Sequence, residues 1–414
     1  MRFLVLCLWG LIYPVVVVLA APFWMLKMFR RKGWGSGLVE RVGFYSRDAE
    51  FEKQGAIYIH AVSVGEVLLA LKLIVKWKQV EPRAHFLLVP TTATGMAVAR
   101  EQAPAEVRVI YAPLDFGFLI RRVMRRFSPI LVVTVESELW PNLIYQTSKM
   151  GIPLGVMNAR LSPRSESRLG ALKGFVSPFL ERLDHVGVPE GEDLLRWQQL
   201  GVREDATVLT GNVKFDPNGV EPPRTRHEFS AMLASFPNRR IAMAISTFTG
   251  EEEYLDAAFR EVGYQSVIVP RHAERRDEVV RALGGNVVLR SQFSPPAEDE
   301  TLVIDSTGEL RDWTAHADVA VIGKSFLEKG GQNPCEAIMA GVPVICGPHM
   351  GNFEPLLSEL VASGGVQQVS SREELVFALK NIPQDQVEKA RLVLGRHAGA
   401  MTRTIAAFSR SKKT

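Results

Sequence analysis

The sequence predicts an α/β protein made of two halves of comparable length, each a parallel sheet with crossover helices, behind an apolar N-terminal segment. Short apolar runs rich in β-branched residues alternate with longer amphipathic stretches along most of the chain. A cluster of turn formers and chain stiffeners, Asp216-Pro217-Asn218-Gly219 and then Glu221-Pro222-Pro223, interrupts the alternation, which afterwards starts again. The first 26 residues carry almost no charge. These features divide the chain into a membrane anchor with a basic flank (1–32), an N-terminal α/β domain (33–216) and a C-terminal α/β domain (217–414), whose last helix is free to pack back on the first domain.

In the anchor, Phe3 to Leu26 contains no charged side chain. As a helix it would span about 36 Å, enough to cross a bilayer. A cleaved secretory signal ending near Val18-Leu19-Ala20-Ala21 is the alternative. Only Arg2 precedes the run, whereas Lys27, Arg30, Arg31 and Lys32 follow it, which favours an uncleaved anchor with the rest of the chain in the cytoplasm. Cysteine usage agrees with a reducing compartment: Cys7, Cys335 and Cys346 show no metal-ligand spacing. With 47% hydrophobic and 23% charged residues, neither a disordered nor a multispanning membrane protein fits. The net charge of +4 is mild, but Arg121, Arg122, Arg125 and Arg126 fall on one predicted helix face. That face is either a solvated surface or one that meets anionic lipid. No nucleic-acid reading motif accompanies it.

Predicted strands in the first half are Ala56 to His60, Phe86 to Pro90, Val107 to Ala112, Ile130 to Val135 and Leu154 to Asn158. The first runs into His60-Ala61-Val62-Ser63-Val64-Gly65-Glu66, small residues that open a helix. Glu66 there is either a first-turn glutamate favoured by the helix dipole or a group presented for chemistry. His60 is open in the same way, either a satisfied structural group, the commoner case for a lone histidine at a strand end, or a base. Glu136-Ser137-Glu138-Leu139-Trp140-Pro141-Asn142 follows the fourth strand, and two carboxylates at the end of a buried strand must be paired or solvated. Gly211-Asn212-Val213-Lys214-Phe215-Asp216 closes the half, with Lys214 suited to neutralising phosphate or a sugar carboxylate.

In the second half, strands are predicted at Ile241 to Ile245, Ser266 to Val269, Val287 to Leu289, Leu302 to Ile304, Val319 to Ile322 and Val344 to Cys346. Small or anion-binding residues follow them repeatedly. Ser246-Thr247 leads into Gly250-Glu251-Glu252-Glu253, a helix start that either caps itself or holds phosphate. Pro270-Arg271-His272 offers a guanidinium for bidentate phosphate contact. Gly308-Glu309-Leu310, Gly323-Lys324-Ser325 and Gly330-Gly331-Gln332-Asn333-Pro334-Cys335-Glu336 complete the series, with Glu336 placed to accept from a ribose diol. The stretch Gln384 to Phe408 reads as helical and polar enough to lie on the surface.

Taken in order, HAVSVGE (60–66), ESELWPN (136–142), NARLS (158–162), GNVKFD (211–216), VPRH (269–272), GEL (308–310), GGQNPCE (330–336) and GPHMGNF (347–353) make the chain resemble the Kdo transferases, which move 3-deoxy-D-manno-octulosonic acid (Kdo) from CMP-Kdo to a lipid A precursor (lipid IVA). The resemblance implies a GT-B fold, two Rossmann-like domains facing a cleft, with the acceptor on the N-terminal domain and CMP-Kdo on the C-terminal one. It implies an inverting enzyme of lipopolysaccharide biosynthesis at the bacterial inner membrane. Glu66 would be the general base, with Glu136 and Lys214 stabilising the transition state. Pro270, Arg271, Gly308, Glu309, Leu310, Asn333, Pro334, Cys335 and Glu336 would bind CMP. Family members often carry histidine where Gln332 stands and near Phe248, and leucine at the position of Cys335. These departures motivate the alternative of another CMP-activated ulosonic acid or another acceptor.

The residues support such chemistry on their own terms. A sugar hydroxyl is a poor nucleophile at neutral pH, so a carboxylate such as Glu66 must take its proton as it attacks the anomeric carbon. Charge developing on the departing CMP calls for cations and helix N-termini opposite it. No metal cofactor is expected, because no histidine or carboxylate cluster has metal spacing. The number of Kdo units added and the oligomeric state are not legible in the sequence.

Overall fold

The computed structural model describes residues 12–15, 18–19, 22, 37–46, 55–217, 223–224, 226–234 and 239–409. The expected anchor therefore lies almost wholly outside the described residues, as do residues 218–222 of the expected linker. Among the described residues no helix is long and apolar enough to cross a membrane. Contacts divide the chain into two compact units, one comprising residues up to Asp216 together with those from His397 onward, the other Pro217–Arg396.

The first unit holds, among the described residues, a seven-stranded parallel sheet: β1 (Ile57–Ala61), β2 (Phe86–Pro90), β3 (Arg108–Val109), β4 (Leu131–Val135), β5 (Leu154–Met157), β6 (His185–Val188) and β7 (Thr207–Leu209). The strand order is β3-β2-β1-β4-β5-β6-β7. Strands β1, β2 and β4 are buried throughout, which explains their continuous apolar runs: helices cover both faces of the sheet, so side chains pointing either way enter a core. One face packs Tyr58, Val132, Leu154 and Trp197; the other packs Ile59, Val133, Trp77 and Phe86. The strand order reverses between β1 and β4, which pair directly, so the loops after these two strands diverge and leave a crevice at their carboxyl ends.

The second unit repeats the plan with β8 (Ile241–Thr247), β9 (Gln265–Pro270), β10 (Val287–Leu289), β11 (Thr301–Val303), β12 (Val319–Ile322), β13 (Val344–Cys346) and β14 (Val366–Gln368), in the order β10-β11-β9-β8-β12-β13-β14. Its reversal lies between β8 and β12. Strands β6, β7 and β14 were not anticipated from the sequence. They are three or four residues long, and β7 and β14 are partly exposed edge strands, too short for periodicity to register.

The C-terminal stretch corrects one expectation. It forms two helices, Gln386–Gly395 and Ala400–Ser409, and the second is a core element of the first unit. Met401, Ile405 and Phe408 enter the core beside Trp77, whose ring stacks on that of Phe408 at 6.1 Å between centroids. Asp216 caps this helix, accepting from the N–H groups of Gly399 (2.9 Å) and Met401 (2.8 Å).

Candidate functional site

In the first unit the candidate site forms at the switch point. Ser63 caps the helix Val64–Val80, its hydroxyl accepting from the Glu66 N–H at 3.3 Å. The Glu66 carboxylate in turn accepts from the Ser63 hydroxyl (2.8 Å) and the Val62 N–H (2.7 Å), a variant of the reciprocal cap that S-x-x-E encodes. The Val62 carbonyl is held by the Thr92 hydroxyl at 2.8 Å, so the loop after β2 braces the loop after β1. This reciprocal cap, which was not anticipated from the sequence, fixes the first-turn carboxylate rather than leaving it free. Glu66 is only 6% exposed. Burial raises its pKa, the two hydrogen bonds oppose the rise, and the charge of Glu136 adds to it. A fixed carboxylate with elevated basicity suits proton abstraction.

Across from it, Glu136 follows β4 in the left-handed conformation (φ 60°), its N–H donating to the Met157 carbonyl at 2.7 Å. Its carboxylate is ion-paired with the Lys214 ammonium. Lys214 arrives from the loop after β7, which is brought back over the sheet because the Val213 N–H donates to the Asn158 side chain (3.2 Å) and the Asn212 N–H to the His397 ring (3.3 Å). NARLS and GNVKFD are therefore largely positioning motifs. The sheet unites Glu66, Glu136 and Lys214 although about 150 residues of sequence separate the first from the last.

Of two neighbours, Glu138 had no role of its own in the sequence reading, whereas His60 did. Glu138, half-buried, has its pKa pushed up to about 7, first by burial and then by the charge of Glu66. The sequence signal was its place beside Glu136 in ESELWPN. His60 is 3% exposed, and burial pushes its pKa down to about 4, so the ring is neutral. It lies 3.3 Å from the Thr91 hydroxyl and packs against the Trp140 ring, a structural role.

In the second unit, Pro270 ends β9 and Arg271 follows it, exposed, with no ion pair to its guanidinium among the described residues. His272 packs against Phe248 (6.2 Å between rings), and the Lys324 ammonium lies 4.5 Å over the Phe248 ring. Lys324 belongs to the Gly323-Lys324-Ser325 turn of the predicted anion-binding series, though the family resemblance gave it no role. The helix Glu251–Val262 starts at Gly250 without a side-chain cap, and its first glutamate braces the neighbouring loops instead. Glu251 is fully buried, and its carboxylate collects the N–H groups of Phe248 (3.0 Å), Lys324 (2.6 Å), Ser325 (3.1 Å) and Phe326 (3.1 Å).

Gly308 has a left-handed backbone (φ 85°) and precedes Glu309, at the start of the helix Leu310–Thr314. The Glu309 carboxylate is already engaged by Arg290 (3.2 Å) and by the Ser306 hydroxyl, and Arg290 itself is buried against the Phe229 ring at 5.1 Å. Glu309 and Leu310 thus offer a ligand backbone groups rather than a free carboxylate. Gly330 and Gly331, both left-handed, lead to Asn333, whose side-chain oxygen accepts from the Cys335 N–H at 3.0 Å. Pro334 sits at the cap of the helix Cys335–Ala340. Cys335 is buried and its thiol is pushed up to about 12, so it is a packing group, while Glu336 in the first turn remains half-exposed. Among the described residues no group of three or more His, Cys, Asp or Glu could hold a metal ion.

The sequence profile of the family described as 3-deoxy-D-manno-octulosonic-acid transferase (kdotransferase) matches residues 36–217. The 3-deoxy-D-manno-octulosonic acid transferase of Haemophilus influenzae is 31% identical over 423 aligned residues, covering 96% of this chain and 97% of that one. The enzyme of the same name from Bordetella pertussis is 32% identical, covering 93% and 94%. Among solved structures, a glycosyltransferase from Rickettsia africae superposes with a TM-score of 0.54 at 12% identity, covering 87% of this chain and 99% of that one. The UDP-GlcNAc 2-epimerase of Neisseria meningitidis does so equally well, at 0.54 and 12%, covering 86% and 100%. The structural likenesses speak to fold alone, since a transferase and an epimerase share it.

Proposed function

Because the chain belongs to the Kdo transferase family and is a glycosyltransferase, we propose that it transfers Kdo from CMP-Kdo to a lipid A precursor in one displacement that inverts the anomeric carbon. The observation that carries this reading is the buried, doubly hydrogen-bonded Glu66 carboxylate set beside a Glu136–Lys214 pair. Glu66 takes the proton of the acceptor hydroxyl as that oxygen attacks. The Lys214 ammonium, held in place by Glu136, stabilises negative charge developing in the transition state. Arg271, Lys324 and the backbone N–H groups at 308–310 and of Asn333 and Glu336 hold CMP and take up the charge on its phosphate as the glycosidic bond breaks. The displacement passes through no glycosyl-enzyme and calls for no metal cofactor.

The uncharged run Phe3 to Leu26 fits a single-pass anchor in the bacterial inner membrane, with both units in the cytoplasm. Tethering confines the enzyme to the surface where a lipid acceptor lives and raises its effective concentration there. The departures at Phe248, Gln332 and Cys335 keep a different CMP-activated ulosonic acid as the second reading. Mass spectrometry of the lipid formed from tetraacylated lipid A precursor and CMP-Kdo checks donor, acceptor and number of transfers together. Glu66→Gln is expected to lower turnover by about 100-fold or more while leaving CMP binding unchanged. Turnover near the wild-type rate would remove Glu66 as the base.

A further inference from the structure

Three carboxylates share the crevice of the first unit, and the groups that stabilise negative charge are divided unequally among them. Glu66 accepts two hydrogen bonds from its own loop, and Glu136 is paired with Lys214. Among the described residues Glu138 has neither an ion pair nor a backbone hydrogen bond. Its polar neighbour is the Trp140 indole, whose pull against the shift is smaller than the rise from burial and from the charge of Glu66. His60, packed against the Trp140 ring, is neutral and supplies no positive charge. When like charges crowd a half-buried site, the last proton settles on the group whose anion is least supported.

We propose that Glu138 is a positioning acid for the transfer, staying protonated beside the ionised Glu66 so that the crevice keeps the lower negative charge its anionic substrates require. The inference rests on the assignment of Glu66 as base. With Glu138 neutral, the four groups sum to a single negative charge, because Lys214 offsets Glu136. Ionising Glu138 doubles that charge in front of a sugar carboxylate and a phosphorylated acceptor, and like-charge repulsion opposes binding. The direction agrees with the position of its titration near neutrality, set first by burial, then by the charge of Glu66 and lastly by that of Glu136.

The full-length enzyme tests this through its pH profile. In the wild type kcat/KM should fall several-fold between pH 7 and pH 9, mostly through KM. Glu138→Gln, an isosteric neutral side chain, should flatten that limb and keep the rate at pH 6.5 within about threefold. Glu138→Asp, which still titrates, should retain a limb. An alkaline fall unchanged in Glu138→Gln, or none in the wild type, overturns the assignment.

A second readout needs no turnover. A carboxyl raised in the folded state contributes stability that is complete below its unfolded pKa and is lost as pH rises through its folded value. The Tm of the wild type relative to Glu138→Gln should therefore drop between about pH 4.5 and pH 7 and stay level above that window. A level difference throughout sinks the Glu138 assignment even if Kdo transfer is intact. Absence of transfer in the wild type, with the Tm difference present, sinks the functional reading instead.

Discussion

Gly347 has no room for a side chain: a Cβ built on it would lie 2.2 Å from the Ser325 carbonyl oxygen. Gly323 is as confined, with the Ser246 carbonyl oxygen 2.5 Å from its hypothetical Cβ. Both lie just past buried strands, where the loops after β8, β12 and β13 pass in close contact. The Gly347 N–H donates to the Ser325 hydroxyl at 2.8 Å, and the buried Glu251 carboxylate gathers three consecutive N–H groups from Lys324 to Phe326. Gly347→Ala is therefore expected to destabilise the second unit by about 1–3 kcal/mol. A shift of the denaturant midpoint at constant slope checks it, and an unchanged midpoint would mean that the loops part easily. The glycines were visible in the sequence as part of GPHMGNF and Gly323-Lys324-Ser325. The role of Glu251 was not singled out, because its partners at 324–326 are more than 70 residues away. The same holds for Glu138: its neighbour Glu66 lies in the helix that follows another strand, and only pairing of β1 with β4 makes them adjacent.

At the scale of elements, the sequence predicted the buried central strands β1, β2, β4, β8 and β9, and with them the partly exposed edge strands β3 and β10. LVVTV at 131–135 has no choice but to be a central strand, since all five residues are at most 2% exposed. The C-terminal helix Ala400–Ser409 shows the opposite case. Its apolar stripe of Met401, Ile405 and Phe408 is flanked by Arg403 and small residues, so composition reads as surface. Gly155 on β5 decides the matter, because a Cβ there would lie 2.3 Å from the Phe408 ring. The helix and the strand were shaped for each other across about 250 residues of sequence. Phe408→Ala should cost the first unit about 3–5 kcal/mol. Calorimetry should show a lowered transition for that unit, with CMP affinity unchanged; an unaltered transition would return the helix to the surface.

For the whole molecule, the mild net charge of +4 conceals a local concentration. Phe118, Arg121, Arg122, Arg125 and Arg126 line one shallow groove on the first unit, and Phe118 is 62% exposed. Arg126 is spent on the carbonyls of Tyr45 (2.7 Å) and Ser46 (2.8 Å), whereas Arg121, Arg122 and Arg125 are exposed. An exposed phenyl ring among cations suits the headgroup region of an anionic leaflet. At about 1 kcal/mol per cation, replacing Arg121, Arg122 and Arg125 by Ala should weaken binding to phosphatidylglycerol vesicles by about 100-fold at low salt and far less at high salt. Equal binding of the variant at low salt would leave the groove a solvated surface.

The sequence by itself determined the two parallel α/β units, the family, and the carboxylates and cations available for chemistry. These follow from short-range patterns: continuous apolar runs where strands are buried on both faces, and small residues with helix caps where strands end. Tertiary structure alone decided which of those groups meet. Strand order brings the loops after β1 and β4 together, the loop after β7 folds back to deliver Lys214 to Glu136, and burial then raises the pKa of both Glu66 and Glu138. Pairing and desolvation depend on neighbours distant in sequence, and no local pattern records them.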